Sequence, residues 1–346
     1  MRSAWGLVTA LCVTPVVAHH SNAGLDMDSL IPIEGIVTEF SWRNPHVYFI
    51  VESTNSAGEV IEWDIQMAST ITVSRMGWTR DSLAIGDRVS LMAHAAADGR
   101  PYALLDSIEK QGGVVLPTSF DAVSAEPILI DSAATVGTST LTGSWYADPS
   151  TFVSYPGGVD GFFSAQLVLT ETGRAAYTAY DELSEQNPYA SCIGSPTPTT
   201  IVLTNIYPLH IEIDQDREVV VIRSELFDDE RTVYMDGRSH PPSSERTHAG
   251  HSVGRWDGDT LIVDSRNFAD HRSPYQNGVP SGAQKHVVER YRLSEDGTRV
   301  AVEFMLEDPE YLAEPLTHSR ELIHSPQFEL TSFDCDPEAA RRFLRQ

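Results

Sequence analysis

Residues 247–268, THAGHSVGRWDGDTLIVDSRNF, place two alternating runs on either side of Asp257-Gly258. Alternation with period two and an Asp-Gly step between the runs is the pattern of a tight β-hairpin. If Asp257 and Gly258 supply the positive φ angles of a type I′ turn, Arg255 faces Thr260, Val253 faces Ile262 and His251 faces Asp264. Side chains two apart share a face. His251, Arg255 and Asp264 are therefore expected on one side of the hairpin, and Trp256, Leu261 and Val263 on the core side.

The same pattern recurs along the chain and sets the expected fold class, mainly β. PIEGIVTEFSW, HVYFIVEST, VIEWDIQM, RVSLMAHAA and ALLDSIEK read as strands, with a short helix predicted over 70–78 between the third and the fourth. That order suits a small five-stranded barrel of the oligonucleotide/oligosaccharide-binding (OB) type, here assigned to residues 19–110. Residues 111–140 mix Gly, Pro, Ser, Thr and Ala without periodicity and read as a linker. From 141 to 346, QLVLT, TIVLTNIYPLHIEID, EVVVIRSELF, RTVYMD, the hairpin, HVVERYRL, RVAVEFMLED, SRELIHS and FELTSF read as strands, with one helix predicted over 171–183. With so few helices to make parallel crossovers, an antiparallel barrel is expected.

Forty-nine acidic against 24 basic side chains give a formal charge of −25. Such a surface repels nucleic acid and anionic headgroups, so neither is an expected partner. Residues 1–18 combine Arg2, an apolar run and Val16-Val17-Ala18, the layout of a secretory signal with its cleavage site. A periplasmic or secreted mature chain without membrane insertion follows, since no later run approaches the ~20 apolar residues of a spanning helix. Removal of the signal leaves Cys192 and Cys335, which in an oxidising compartment are expected to form one disulfide. It would also expose His19-His20 as a new amino terminus. An N-terminal amine and imidazole, with His46 as a further ligand, would form a nitrogen-rich site for copper or zinc.

Ala18-His19-His20-Ser21, Trp42-Arg43-Asn44-Pro45-His46 and the segment Gly77-Trp78-Thr79-Arg80-Asp81-Ser82-Leu83 resemble a bacterial family of secreted proteins of unknown function. That resemblance implies secretion and a domain boundary after the first third of the chain, and no activity. Gly143-Ser144-Trp145 resembles the G-x-W start of lipocalin-like barrels, where the Trp plugs one end. Asp236 to Pro241, Gly250 to Trp256 and Val287 to Arg290 are similar to motifs of secreted bacterial proteins with no assigned reaction.

A second hairpin turns at Asp296-Gly297. Its apolar face collects Val287, Tyr291 and Leu293 against Val300, Val302, Phe304 and Leu306, and the alternation sets Glu289 on that face opposite Phe304. A carboxyl so placed acts either as a general acid or base in a pocket or as the partner of a buried Arg or Tyr. His251, with Asp264 to orient it and Arg255 to steady negative charge, could serve a cofactor-independent hydrolase or isomerase. Arg238, His240, His248 and His271 lie on the flanking loops. No G-x-S-x-G, H-E-x-x-H, glycine-rich phosphate loop or C-x-x-C accompanies them. The leading expectation is a barrel that binds a small, largely apolar ligand. Catalysis through Glu289 or His251/Asp264, and metal binding through His19, His20 and His46, stand as alternatives.

Overall fold

The computed structural model of the chain describes residues 24–112, 115–117, 136–148, 158–273, 276 and 278–345. The expected signal, His19, His20 and residues 118–135 of the expected linker lie outside the described residues. Two closed barrels account for most of the strands, as expected for a mainly β chain.

The first barrel is built from β1 (Ile31–Ser41), β2 (Tyr48–Thr54), β3 (Val60–Gln66), β4 (Arg88–Ala95) and β5 (Tyr102–Lys110), with α1 (Thr70–Arg75) between β3 and β4. Alternation turns Ile33 and Val37 of β1 and Val89, Leu91 and Ala93 of β4 inward, against Phe49, Val51 and Ile65. Burying each of the larger side chains contributes about 1.5–3 kcal/mol. Ser69 caps α1, its hydroxyl accepting from the Thr72 amide at 3.1 Å. A short strand, β6 (Val115–Pro117), pairs with β5, so the chain does not leave the barrel where the linker was expected to begin.

The second barrel has nine strands: β7 (Gly143–Ala147), β8 (Leu209–Asp214), β9 (Val219–Ser224), β10 (Asp229–Tyr234), β11 (His251–Asp257), β12 (Thr260–Arg266), β13 (His286–Leu293), β14 (Arg299–Glu307) and β15 (Leu316–His324). Around the ring every pair is antiparallel except β10 with β11. The expectation of purely antiparallel pairing is corrected here, because residues 235–250 make a parallel crossover without a helix. The β13–β14 register is the expected one, with Glu289 opposite Phe304 and Arg290 opposite Glu303. Trp145 is fully buried and its indole N–H donates to the Leu141 carbonyl at 2.7 Å.

Three expected strands do not form as read; FELTSF, residues 328–333, has no strand in it. Over 200–214 the chain first forms α4 (Thr199–Val202), and β8 begins only after Pro208, which has no amide hydrogen to offer a ladder. Ile201, Val202 and Leu203 join Trp145, Leu261, Tyr291 and Phe304 in one buried cluster, so this segment fills space that a ligand was expected to occupy. QLVLT is split between the end of α2 (Gly158–Gln166) and the cap of α3 (Glu171–Ala179), where the Thr170 hydroxyl accepts from the Gly173 amide at 3.0 Å.

Contacts between the barrels are specific. Arg75 of α1 donates to the fully buried Glu225 carboxylate at 2.6 Å, and Tyr207 donates to Ser69 at 3.0 Å. The C-terminal segment also crosses to the first barrel: Asp336 N–H donates to the Asn44 carbonyl at 2.8 Å, and Arg342 reaches Asp64 and Glu39 at 2.7 Å each. Cys335, in this segment, is bonded to Cys192, which confirms the expected disulfide. The bond closes a loop with a sequence separation of 143. Replacing Cys192 and Cys335 by Ser should lower the unfolding free energy by about 2–4 kcal/mol in urea titrations. Equal stability of the two proteins would mean that the noncovalent contacts of the C-terminal segment already hold it.

Candidate functional site

The first hairpin departs from its expected register by two residues. Asp257 pairs with Thr260, so Gly258 and Asp259 form the turn. Gly258 has φ +63°, whereas Asp257 and Asp259 have no positive φ. Glycine in the first central position is the requirement of a type II′ turn rather than I′. His251 therefore faces Arg266 and not Asp264, and Asp264 faces Val253. A slip of two preserves the faces: Leu261 and Val263 are fully buried, as expected for the core side. Trp256, on that same side but beside the turn, stays 47 % exposed.

His251 and Asp264 are nonetheless joined, through His240. Nδ1 of His240 and Nδ1 of His251 lie 3.0 Å apart and share one hydrogen bond, and Nε2 of His240 lies 3.0 Å from Asp264 Oδ1. The crossover 235–250 carries His240 to this position. Asn267 fastens it by donating to the Pro241 carbonyl at 3.0 Å, and Arg246 does so by donating to the Gly282 carbonyl at 2.9 Å. Asp264 Oδ2 faces Nε2 of His286 at 3.1 Å, and Nδ1 of His286 faces Glu307 at 3.2 Å. Arg266 pairs with Asp264 at 3.2 Å, while Arg255, expected to steady negative charge beside His251, faces Ile262 and is exposed. Burial pushes the Asp264 carboxyl up, but His286, Arg266 and His240 together hold it at about 2.

This chain of groups borders a cleft of about 600 Å3, whose walls include His240, Arg266, Lys285, His286, Asp308 and Leu312. Lys285 is 2 % exposed; its Nζ donates to Ser281 at 3.2 Å and lies 4.7 Å from the centre of the Phe268 ring. Asp308 accepts from the Gly282 amide at 2.6 Å through Oδ2. That approach needs glycine, since a Cβ at position 282 would stand 2.3 Å from Asp308 Oδ1. Oδ1 itself is buried without a hydrogen-bond partner among the described residues. Burial raises the Asp308 carboxyl above its usual range. Sequence reading missed Lys285, Asp308, His286 and Glu307; the signal it could have used is the position of Lys285-His286 at the start of β13.

Glu289 lies in the barrel interior, fully buried. Arg231 of β10 donates to it at 2.7 Å, Tyr291 at 2.8 Å and Thr197 from the segment before α4 at 2.5 Å. Arg231 in turn donates to Ser265 at 3.1 Å. Of the other expected groups, His248 and His271 meet edge to face with ring centres 4.5 Å apart, and Arg238 is paired with Asp236 over the Tyr234 ring. His46 sits in the first barrel with Nδ1 3.0 Å from the Met67 carbonyl, and burial lowers its pKa to about 4. Among the described residues, no group of three or more His, Cys, Asp or Glu is placed to hold a metal ion.

A larger cleft, of about 1460 Å3, lies between the first barrel and the C-terminal segment 331–342. Of its arginines, Arg43, Arg75, Arg341 and Arg342 are paired with Asp336, Glu225, Glu185 and Asp64, and Arg80 donates to the Trp42 carbonyl at 3.5 Å. The smaller cleft is the one with an unmatched buried acceptor in its wall.

Two outcomes test these assignments. Arg231→Met strands a buried carboxylate and should cost about 3–5 kcal/mol in urea unfolding, while Arg231→Met combined with Glu289→Leu should recover most of it. Additive losses would mean that the pair does not act as a unit. The Asp264 carboxyl has a folded pKa below its unfolded value of about 3.9, so the stabilisation it gives is complete above that pH and is lost as pH falls towards about 2. Asp264→Asn should flatten the stability–pH curve in that interval; an unchanged curve would refute the assignment.

Residues 8–105 match a family described as Family of unknown function (DUF6152). The match covers the N-terminal part, which the sequence motifs had pointed to, and brings no activity with it. No curated protein matches the chain.

Proposed function

We propose that the protein is an extracytoplasmic binding protein for a small, largely apolar ligand, held in the cleft beside β13 on the second barrel. The observation that carries this reading is the cleft of about 600 Å3 with Lys285 and the unpartnered Asp308 Oδ1 in its walls. A buried acceptor without a donor costs about 1–3 kcal/mol, which a bound donor would offset. Leu312, Pro241, Pro309 and Pro315 give the cleft an apolar side, and apolar walls with a few convergent polar groups are the usual form of a small-molecule site. The signal-like segment 1–18 and the Cys192–Cys335 disulfide support export. No helix among the described residues is long and apolar enough to cross a membrane.

The hydrolase or isomerase reading has less support, because Glu289, its expected acid-base group, is held by three donors in the packed interior. The copper or zinc reading rests on His19 and His20 joining His46, and the His46 ring is engaged with the Met67 carbonyl.

Native mass spectrometry with hexan-1-ol tests the proposal. One alcohol should be retained per chain, and Leu312→Glu should weaken retention by about tenfold or more, the scale of placing a charge in an apolar contact. Equal retention by the two proteins would remove the ligand from this cleft.

A further inference from the structure

The chain has 24 basic side chains, of which only Lys110 and Lys285 are lysines. Lys110 is an ordinary surface cation, 41 % exposed and 2.7 Å from Asp87. Lys285 is the opposite case: almost fully buried, with no carboxylate within ion-pair distance in the described structure. Where the fold needs a permanent buried cation it uses arginine, as at Arg231 against Glu289. Arginine stays charged at any accessible pH, whereas a buried lysine can release its proton and become a nucleophile.

We propose that Lys285 is a covalent attachment point for a small, mainly apolar aldehyde, which it binds as a reversible imine with Asp308 carrying the protons. The proposal rests on the binding cleft described above and deepens it by naming the class of ligand. Lys285 and Asp308 line that cleft together, and both also line an adjoining recess walled by Leu167, Val279, Leu306 and Leu312. The recess itself holds only about 10 Å3, no more than one water, so an alkyl or aryl group on the amine would lie in the larger cleft against Leu312 and Pro309. Burial lowers the Lys285 pKa to about 8, so a usable fraction of the amine is neutral near physiological pH. The Asp308 charge opposes that lowering, and the Lys285 charge in turn lowers the pKa values of His248 and His271, after the larger effect of their own burial.

The chemistry balances without an oxidant or a reductant. The neutral Nζ lone pair attacks the carbonyl carbon, the C=O π bond breaks, and the oxygen takes up one of the two nitrogen protons to give a carbinolamine. The Asp308 carboxyl then protonates that hydroxyl, the C–O bond breaks with loss of water, and nitrogen gives its remaining proton back to the carboxylate. One aldehyde and one amine become one imine and one water. Raising of the Asp308 carboxyl by burial suits it to donate, and its unpartnered Oδ1 is free to do so.

Reductive trapping tests this on the full processed chain. Hexanal with cyanoborohydride at neutral pH should add, on Lys285, the mass of one aldehyde less one oxygen atom. Peptide mapping should find Lys285 labelled about tenfold faster or more than Lys110 or the amino terminus, the scale of a tuned and oriented amine. Lys285→Met should abolish the fast phase, and Asp308→Asn should slow it by about tenfold or more. If Lys285→Met does not fold, protection of Lys285, but not Lys110, by excess hexan-1-ol in the unaltered chain serves instead. Labelling of Lys110 and the amino terminus as fast as Lys285 would overturn the proposal. Hexan-1-ol cannot form an imine, so alcohol retention without trapping would sink the imine and leave the binding reading standing. Trapping without alcohol retention would do the reverse, and absence of both would remove both.

Discussion

A closed ring with an odd number of strands cannot be antiparallel throughout, because strand direction must return to its starting sense after one circuit. With five and nine strands, each barrel of this protein must contain a parallel pair, and the pairs found are β3–β5 and β10–β11. A parallel pair cannot be joined by a two-residue turn; the chain has to travel back along the barrel. In the second barrel that return path is the segment 235–250. It is too long to be left loose, and Arg246 and Asn267 fasten it to the start of the cleft. His240 reaches Asp264 by this route. Closure of the barrel and assembly of the polar chain along the cleft are thus consequences of one topological requirement.

Burial of charge divides the molecule into places that are settled and places that are not, the cleft beside β13 among them. Arg231–Glu289 inside the second barrel and Arg75–Glu225 between the barrels are matched, and further donors occupy the remaining carboxylate oxygens: Thr197 on Glu289 and the Thr331 amide on Glu225. Each matched pair fixes the relative position of distant segments, since removing either partner strands the other in a medium that solvates it poorly. Lys285 and Asp308 are buried to a similar degree with fewer partners. Such imbalance is costly to a fold and useful to a binding site, where a ligand completes it.

Alternation and Asp-Gly steps were sufficient to read the mainly β class, the five strands of the first barrel, and the β13–β14 register that sends Glu289 inward. These depend on local periodicity, which a sheet with one buried face enforces strongly. The disulfide was legible because only two cysteines follow the signal-like segment. The first hairpin shows the limit of such reading. Asp257-Gly258-Asp259 allows the turn to sit at either of two steps, and the choice moves every cross-strand partner of His251 and Asp264 by two while leaving inward and outward faces intact.

What the sequence by itself determined is therefore which side chains point inward, since that follows from period two and apolar burial. Tertiary structure alone decided which side chains meet. The run 200–214 has strand-like composition, yet the barrel interior takes its first part as α4 because that space had to be filled. Lys285, His286, Glu307 and Asp308 come from two adjacent strands and their ends, and His240 from a crossover whose path depends on ring closure. Contacts of this kind are set by strand order and closure, which no local pattern encodes.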